Sequence, residues 1–268
     1  MYYYIVDPQK ISQREFERVQ HNLYSSLSEY RISGEVVRVT GLRSIQQLVE
    51  NAFSHEAKTI VAVGNDQTLH EVINGIGKRE MIVGFIPLIK SELGNILGIR
   101  DLEQAAKIIA FRRVESMDVG LVNNNYFLSK LSFGAIGDNR WAPSMDKTFE
   151  IKLKIDDQYF AEQTIATGII VNCRDTNDSL TKPNDGNLDI LLLPKLSTWQ
   201  VLKYRSDIQS GSFENIPQAS VIHGKKLEIL APEGMSMKIG DWIIAKTPAI
   251  IEIIPSALKI IVGKERKF

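Results

Sequence analysis

Cysteine and net charge are the two things this sequence most clearly lacks, and both absences narrow the class of protein. Cys173 is the only cysteine in 268 residues, so no disulfide can form within the chain. With no signal peptide recognised, the sequence predicts a cytoplasmic protein. The 32 acidic side chains balance the 32 basic ones, which removes any overall electrostatic case for nucleic acid as a partner. A local basic patch stays open.

Long apolar runs and several familiar motifs are also missing. No run approaches the ~20 apolar residues that span a bilayer, so any contact with membrane lipid would be peripheral. The four histidines lack metal-ligand spacing and cysteine partners, which argues against zinc, and His70 is interpreted as a solvated residue on a helix. The sequence has neither a Gly-x-x-x-x-Gly-Lys-Ser/Thr loop nor a Gly-x-Gly-x-x-Gly turn after its first strand, so those nucleotide-binding families are disfavoured.

Strand and helix patterns alternate through the first part of the chain and then change. The alternation predicts a doubly wound, mostly parallel α/β domain over residues 1–116, with a nucleotide as its ligand. After about Val114 short β runs follow one another almost without helices, which predicts an antiparallel β-sandwich over residues 117–268 that binds the lipid or other acceptor. The sequence leaves open whether the last strand belongs to the sandwich or returns to the first domain. We expect a small-molecule cleft between the two domains.

The stretch Thr59–Ile76 contains a strand, a tight turn and the start of a helix. Gly64 ends a run of apolar, β-branched residues, and three polar side chains that can cap a helix follow it, at Asn65, Asp66 and Thr68. Such a turn directs backbone N–H groups and the positive end of a helix at one point, which suits phosphate. An ordinary strand-to-helix turn is the alternative interpretation.

This stretch resembles the phosphate-binding segment of the soluble diacylglycerol kinase, sphingosine kinase and bacterial lipid kinase superfamily. The family segment reads Gly-Gly-Asp-Gly-Thr and then Asn-Glu-Val and Asn-Gly, where this chain has Gly-Asn-Asp-Gln-Thr and then His-Glu-Val and Asn-Gly. Three further segments are similar to the family's second loop, domain junction and Asp-Gly-x-Leu-Asp-Val segment, in the same order: residues 85–99, 117–135 and 185–190. The resemblance therefore covers nearly the whole chain.

The resemblance implies an ATP-dependent lipid kinase of phospholipid metabolism that uses Mg²⁺ and transfers a γ-phosphoryl group to the hydroxyl of a lipid such as diacylglycerol. It implies that Asp66 and Glu92 lie near the magnesium and the nucleotide, that Asp241 acts as general base on the acceptor, and that Asp185 holds a separate structural magnesium. The residues implied in nucleotide binding are Gly64, Asn65, Asp66, Gln67, Thr68, Glu71 and Ser91. Each acidic residue also has a structural interpretation, as a turn former, a first-turn helix carboxylate or a hairpin residue.

The chain departs from the family pattern in the loops that bear on chemistry. Asn65 and Gln67 replace two glycines, the second loop lacks Gly-Thr-Gly, and Asp241 stands where the family carries a glutamate. These changes keep open a second function, that of a catalytically weak or inactive relative that binds nucleotide or lipid as a regulator. NAD kinase ranks lower, because no Thr-Gly-Ser-Thr-Ala-Tyr counterpart is present.

Three properties stay open at the level of sequence. The lipid itself is not readable, and a homodimer is one of the oligomeric states to be tested. Three tryptophans, at Trp141, Trp199 and Trp242, are candidates for a membrane-facing edge, with packing as the alternative.

Overall fold

The computed structural model describes residues 1–9, 11–134, 147–175 and 182–268. The described chain forms two compact units. Unit 1 contains residues 1–117, Asp175 and residues 256–268, and unit 2 contains most of the chain between Asp118 and Pro255. The division thus falls between Met117 and Asp118, and the end of the chain returns to unit 1.

Strands and helices alternate in unit 1, as the hydrophobic pattern predicted. The elements are β1 (Tyr2–Val6), α1 (Gln13–Glu29), β2 (Gly34–Arg38), α2 (Ile45–Ser54), β3 (Thr59–Gly64), α3 (Asp66–Ile76), β4 (Ile82–Pro87), α4 (Glu92–Leu97) and α5 (Leu102–Phe111). β5 (Val114–Val122) follows and crosses the boundary between the units.

Unit 2 is built mainly from strands. They are β6 (Asn125–Phe127), β7 (Lys130–Gly134), β8 (Phe149–Ile155), β9 (Tyr159–Ile165), β10 (Thr167–Val171), β11 (Leu188–Leu193), β12 (Ser220–Gly224), β13 (Lys226–Ala231), β14 (Ser236–Ile239), β15 (Trp242–Lys246) and the first half of β16 (Ala249–Ile261). Between β11 and β12 lie α6 (Thr198–Lys203), α7 (Arg205–Ser210) and a short 3₁₀ helix (Phe213–Asn215).

The sheet of unit 1 is parallel, with the strand order β2-β1-β3-β4 and the second half of β16 beside β4. α1 packs against α5, and α2 packs against α3. Because β-α-β crossovers are right-handed, the reversal of strand order after β2 places α1 on one face and α2 and α3 on the other. Residues Ile60–Val63 of β3 are fully buried, as expected for a strand covered on both faces. The prediction of a doubly wound α/β domain is confirmed.

Unit 2 contains two antiparallel sheets that share one apolar core. One sheet has the order β12-β11-β10-β7-β14-β15, and the other contains β16, β13, β8 and β9. The core takes side chains from both, among them Phe133 and Ile170 from the first sheet and Leu153 and Ile251 from the second. This arrangement confirms the predicted antiparallel β-sandwich.

The last strand, β16, runs through Pro255 without a break. The proline lies between the part of β16 that pairs with β13 and the part that pairs with β4. Residues Ala249–Glu252 pair with β13, and Lys259 and Ile260 pair with β4. Among the described residues, no helix is long and apolar enough to cross a membrane.

Candidate functional site

The strand order of unit 1 reverses between β1 and β3. In open α/β sheets, ligands bind beyond the carboxyl ends of the strands at such a reversal. Asp7 follows β1 and Asn65 follows β3 at this end of the sheet, and the backbone N–H of Asp7 donates to the carbonyl oxygen of Val63 at 2.8 Å. The fold therefore places the predicted phosphate turn where a ligand site is expected.

Asn65 and Thr68 form a reciprocal cap at the start of α3. The amide oxygen of Asn65 accepts from the Thr68 backbone N–H at 3.1 Å, and the Thr68 hydroxyl oxygen accepts from the Asn65 backbone N–H, also at 3.1 Å. The same hydroxyl donates to a carboxylate oxygen of Asp7 at 2.9 Å, and all three side chains are buried. A Cβ on Gly64 would lie 2.3 Å from the Thr68 hydroxyl, so this position requires glycine.

Asp66 connects α3 to α4 through its carboxylate. One oxygen accepts from the backbone N–H groups of Glu92 and Leu93, at 3.0 Å and 3.4 Å, and the other accepts from the hydroxyl of Ser91. Ser91 in turn caps α4, because its hydroxyl accepts from the Gly94 N–H at 2.7 Å. The two predicted loops are therefore in direct contact, and Asp66 fixes one to the other.

Asn65 and Gln67, which replace family glycines, have no unusual backbone conformation. Asn65 is extended, with φ of −113°, and Gln67 lies within α3. The amide nitrogen of Gln67 donates to the carboxylate of Glu71 at 2.9 Å, one helical turn away. The backbone conformation at these two positions therefore does not require glycine. Compared with the family pattern, the replacements add only the volume of the two side chains.

The amide nitrogen of Asn65 is buried and has no hydrogen-bond partner among the described residues. A buried donor without an acceptor is rare in folded proteins and calls for an explanation. This nitrogen lies at the N-terminus of α3, where the backbone dipoles favour negative charge. An anionic oxygen such as that of a phosphate fits both features.

The prediction that His70 is a solvated helix residue is wrong. Its side chain is almost completely buried, and Nδ1 lies 2.8 Å from the backbone carbonyl oxygen of Asp66, to which it donates. Burial lowers the pKa of His70, against the opposing effect of this hydrogen bond. The sequence pattern assigned this position to the outer face of α3, but α3 packs against α2 as well as the sheet, so more of its surface is covered.

Asp185, predicted to bind a structural magnesium, lies in an exposed turn of unit 2. Its carboxylate accepts from the backbone N–H of Asn187 at 2.9 Å, and Gly186 between them has φ of +72°. The Gly186 N–H donates to buried Asp118 at 2.8 Å. Over the described ranges no group of three potential metal ligands occurs, so the residues around Asp185 do not show a fit to magnesium.

Asp118 is the residue that sequence reasoning missed at this turn. Its buried carboxylate accepts a hydrogen bond from the Gly186 N–H, and its backbone N–H donates to the carbonyl oxygen of Pro183 at 2.6 Å. The available signal was an acidic residue between the apolar residues Met117 and Val119 of a strand.

Asp241, the predicted general base, occupies the tight turn between β14 and β15. Ile239 and Trp242 pair across this turn, and Gly240 has φ of +56°, a conformation that favours glycine. The Asp241 side chain is exposed. The hairpin location is established, and the catalytic role stays a prediction.

The fold and these contacts define a class of protein: a parallel α/β unit with a capped helix N-terminus at the reversal of strand order, joined to an antiparallel β-sandwich. Residues 2–122 match the diacylglycerol kinase catalytic domain, and residues 178–262 match the YegS C-terminal NAD kinase beta sandwich-like domain. The resemblance to the soluble diacylglycerol kinase superfamily is confirmed: the chain carries that family's catalytic domain followed by its sandwich domain.

Individual relatives agree with this assignment. A Staphylococcus aureus (strain JH9) protein named "Putative lipid kinase SaurJH9_0749" is 23% identical over 250 residues, which cover 82% of each chain. The solved structure of "a putative diacylglycerol kinase from Bacillus anthracis str. Sterne" has a TM-score of 0.81 at 19% identity and covers 99% of this chain and 98% of that one. An NAD kinase from Archaeoglobus fulgidus in complex with ATP has a TM-score of 0.59 at 14% identity, over 99% and 95% of the two chains. At these identities the structural likeness shows the fold alone.

Proposed function

We propose that the protein is an ATP-dependent lipid kinase of phospholipid metabolism. The observation that carries the proposal is the buried, unpartnered amide nitrogen of Asn65 at the N-terminus of α3. It lies at the reversal of strand order and within the segment that matches the diacylglycerol kinase catalytic domain. The name of the Staphylococcus aureus relative supports a lipid as the acceptor.

In the proposed reaction the lipid hydroxyl oxygen forms a bond to the γ-phosphorus while the bond from that phosphorus to the bridging oxygen of ADP breaks. Phosphoryl transfer depends mainly on positioning and on charge stabilisation. Asn65 and the first N–H groups of α3 bind phosphate oxygens, and Asp241 takes the proton from the hydroxyl. Glu92, half-buried as the first residue of α4, stays the second acidic candidate near the nucleotide.

The test is transfer of labelled phosphate from ATP to a panel of lipids that includes diacylglycerol, with magnesium present. Asp241→Ala should lower turnover about 10²-fold or more, the range for loss of a general base. Glu233→Ala is the matched control, because Glu233 is an exposed acid in the turn before β14. Transfer to no lipid, or equal transfer by Asp241→Ala and wild type, would exclude this mechanism.

The second candidate function is a regulator that binds nucleotide without turnover. It is favoured by the structural contacts of two predicted site residues: Asp66 holds α4, and Thr68 donates to Asp7. Under this function, ATP raises the melting temperature, since a ligand of the native state stabilises it. No lipid in the panel would then receive phosphate.

NAD kinase is the third candidate, suggested by the shared fold of the Archaeoglobus fulgidus neighbour. Formation of NADP from NAD and ATP in a coupled assay would favour it over lipid phosphorylation. The lipid kinase proposal includes a cytoplasmic location, where a membrane supplies the lipid acceptor.

A further inference from the structure

The short helix α6 of unit 2 is apolar on two sides. On one side Val201 and Tyr204 pack against a core cluster that includes Leu193 and Phe213. On the other side Trp199 is 73% exposed and Leu202 is 62% exposed. Residues three apart on a helix lie on the same face, so these two side chains form one outer surface. We call Trp199 and Leu202 the α6 outer face.

Basic residues flank Trp199 and Leu202 along the chain. Lys195 and Lys203 are exposed, and so is Arg205, the first residue of α7. The sequence contains no acidic residue between Asp189 and Asp207, although the whole chain carries as many acidic as basic side chains. The segment that carries these two exposed apolar side chains is therefore positively charged.

We propose that the α6 outer face binds the surface of an anionic lipid bilayer. Trp199 and Leu202 enter the boundary between head groups and acyl chains, and the basic residues contact anionic head groups. Tryptophan favours this boundary because its ring is apolar and its N–H is polar. With six residues, α6 lies in the plane of the surface and does not span it.

Of the other tryptophans considered for a membrane edge, Trp242 is half-buried in β15, and Trp141 lies outside the described residues. Trp199 is thus the tryptophan that the structure exposes on a basic surface. The biological role of this surface rests on the proposed lipid kinase function, because an enzyme bound to the membrane would meet its lipid acceptor there. Its test is independent of turnover.

Phe160 of β9 provides a matched control. It is 73% exposed, the same fraction as Trp199, and the neighbouring Tyr159 is 67% exposed. The acids nearest to it in sequence, Asp157 and Glu162, form ion pairs with lysines, so Phe160 lacks the excess of basic residues found next to Trp199. If exposed apolar area alone drove binding, Phe160 would contribute as Trp199 does. If charge and apolar area act together, it would not.

The experiment is sedimentation of the full chain with sucrose-loaded vesicles of phosphatidylcholine, with and without phosphatidylglycerol. Wild type should bind the anionic vesicles and not the neutral ones. The double variant W199A/L202A should lower the partition coefficient about tenfold or more. K195Q/K203Q should lower it about fivefold per cation at low salt, and less at high salt. F160A should bind as wild type does. Circular dichroism and melting temperature verify that each variant is folded.

Three results would overturn the proposal: no binding of wild type to anionic vesicles, unchanged binding of W199A/L202A, or equal losses in F160A and W199A/L202A. A dimer in solution that W199A/L202A dissociates, with vesicle binding unchanged, would assign the face to a second copy of the chain.

Failure of this proposal is distinguishable from failure of the kinase function. With a water-soluble short-chain diacylglycerol, W199A/L202A should transfer phosphate as wild type does. Vesicle binding without transfer to any acceptor would remove the kinase function and leave the docking surface in place.

Discussion

The carboxylate of Asp66 accepts a hydrogen bond from the backbone N–H of Glu92 at 3.0 Å. The contact joins the first residue of α3 to the first residue of α4, so two acids expected to act on a nucleotide are also structurally coupled. Loss of Asp66 therefore changes the shape of the site as well as its charge. Catalytic and structural contributions must be separated by experiment.

Asp66→Ala should destabilise the protein by about 1–3 kcal/mol, because it leaves the N–H groups of Glu92 and Leu93 without their acceptor. Urea unfolding measures this cost. Asp66→Asn keeps one amide oxygen as an acceptor and should lose less. We also expect Asp66→Ala to abolish the rise in melting temperature that ATP produces.

Asp101→Ala is the control for this substitution. Asp101 caps α5 by accepting from the Gln104 N–H at 2.9 Å, and losing such a cap costs about 1 kcal/mol. Its response to ATP should equal that of wild type. Equal costs in the two alanine variants would show that the α3–α4 connection adds nothing beyond an ordinary cap.

Asn65→Ser tests the unpartnered amide nitrogen. Serine caps helices as well as asparagine does, so unfolding free energy should stay within about 0.5 kcal/mol of wild type. The amide donor is lost, and the Kd for ATP should rise about tenfold, as for removal of a hydrogen bond to a charged group. Isothermal titration calorimetry provides the Kd. An unchanged Kd would place the phosphates elsewhere.

Thr68→Val tests the buried contact between the ends of β1 and β3. The substitution keeps the shape but removes the hydroxyl that Asp7 and the Asn65 N–H use, which should cost about 2 kcal/mol. Thr164→Val on exposed β9 is the control and should stay within about 0.5 kcal/mol. Denaturant midpoints of the two variants give the comparison.

His70 should make stability depend on pH. Burial lowers the pKa of His70, so below about pH 6.5 the unfolded chain binds a proton that the native protein does not. Stability should therefore fall as pH falls from about 6.5 towards the native pKa, by up to about 1.4 kcal/mol per unit. Urea unfolding at pH 7 and pH 5.5 should show a smaller loss in His70→Gln than in wild type. His21→Gln, at an exposed helix position, should behave as wild type.

The strands of unit 1 were predictable because β3 combines β-branched residues with a glycine stop, and because buried parallel strands are short and continuously apolar. Strands β9, β12 and β15 carry no comparable signal. β9 and β12 alternate polar and half-buried residues at sheet edges, and β15 follows a turn of only two residues. Local pattern does not encode edge pairing, which depends on partners distant in sequence.

The sequence also predicted which residues form the candidate site, but it did not predict their hydrogen-bond partners. The sequence identified Asp66 and Thr68, yet the acceptor of the Thr68 hydroxyl is Asp7, 61 positions earlier. Contacts of this kind follow from the order of strands in the sheet. The Asn65 cap, by contrast, involves a residue three positions away and follows from local helix chemistry.

The path of β16 bears on the order in which the protein can fold during synthesis. Residues 1–117 leave the ribosome first, but β4 gains its neighbour at Lys259 and Ile260 only when the last strand has emerged. Until then β4 presents an unpaired strand edge, the type of surface on which chains aggregate. The sheet of unit 1 is therefore completed only after the residues of unit 2 have been synthesised.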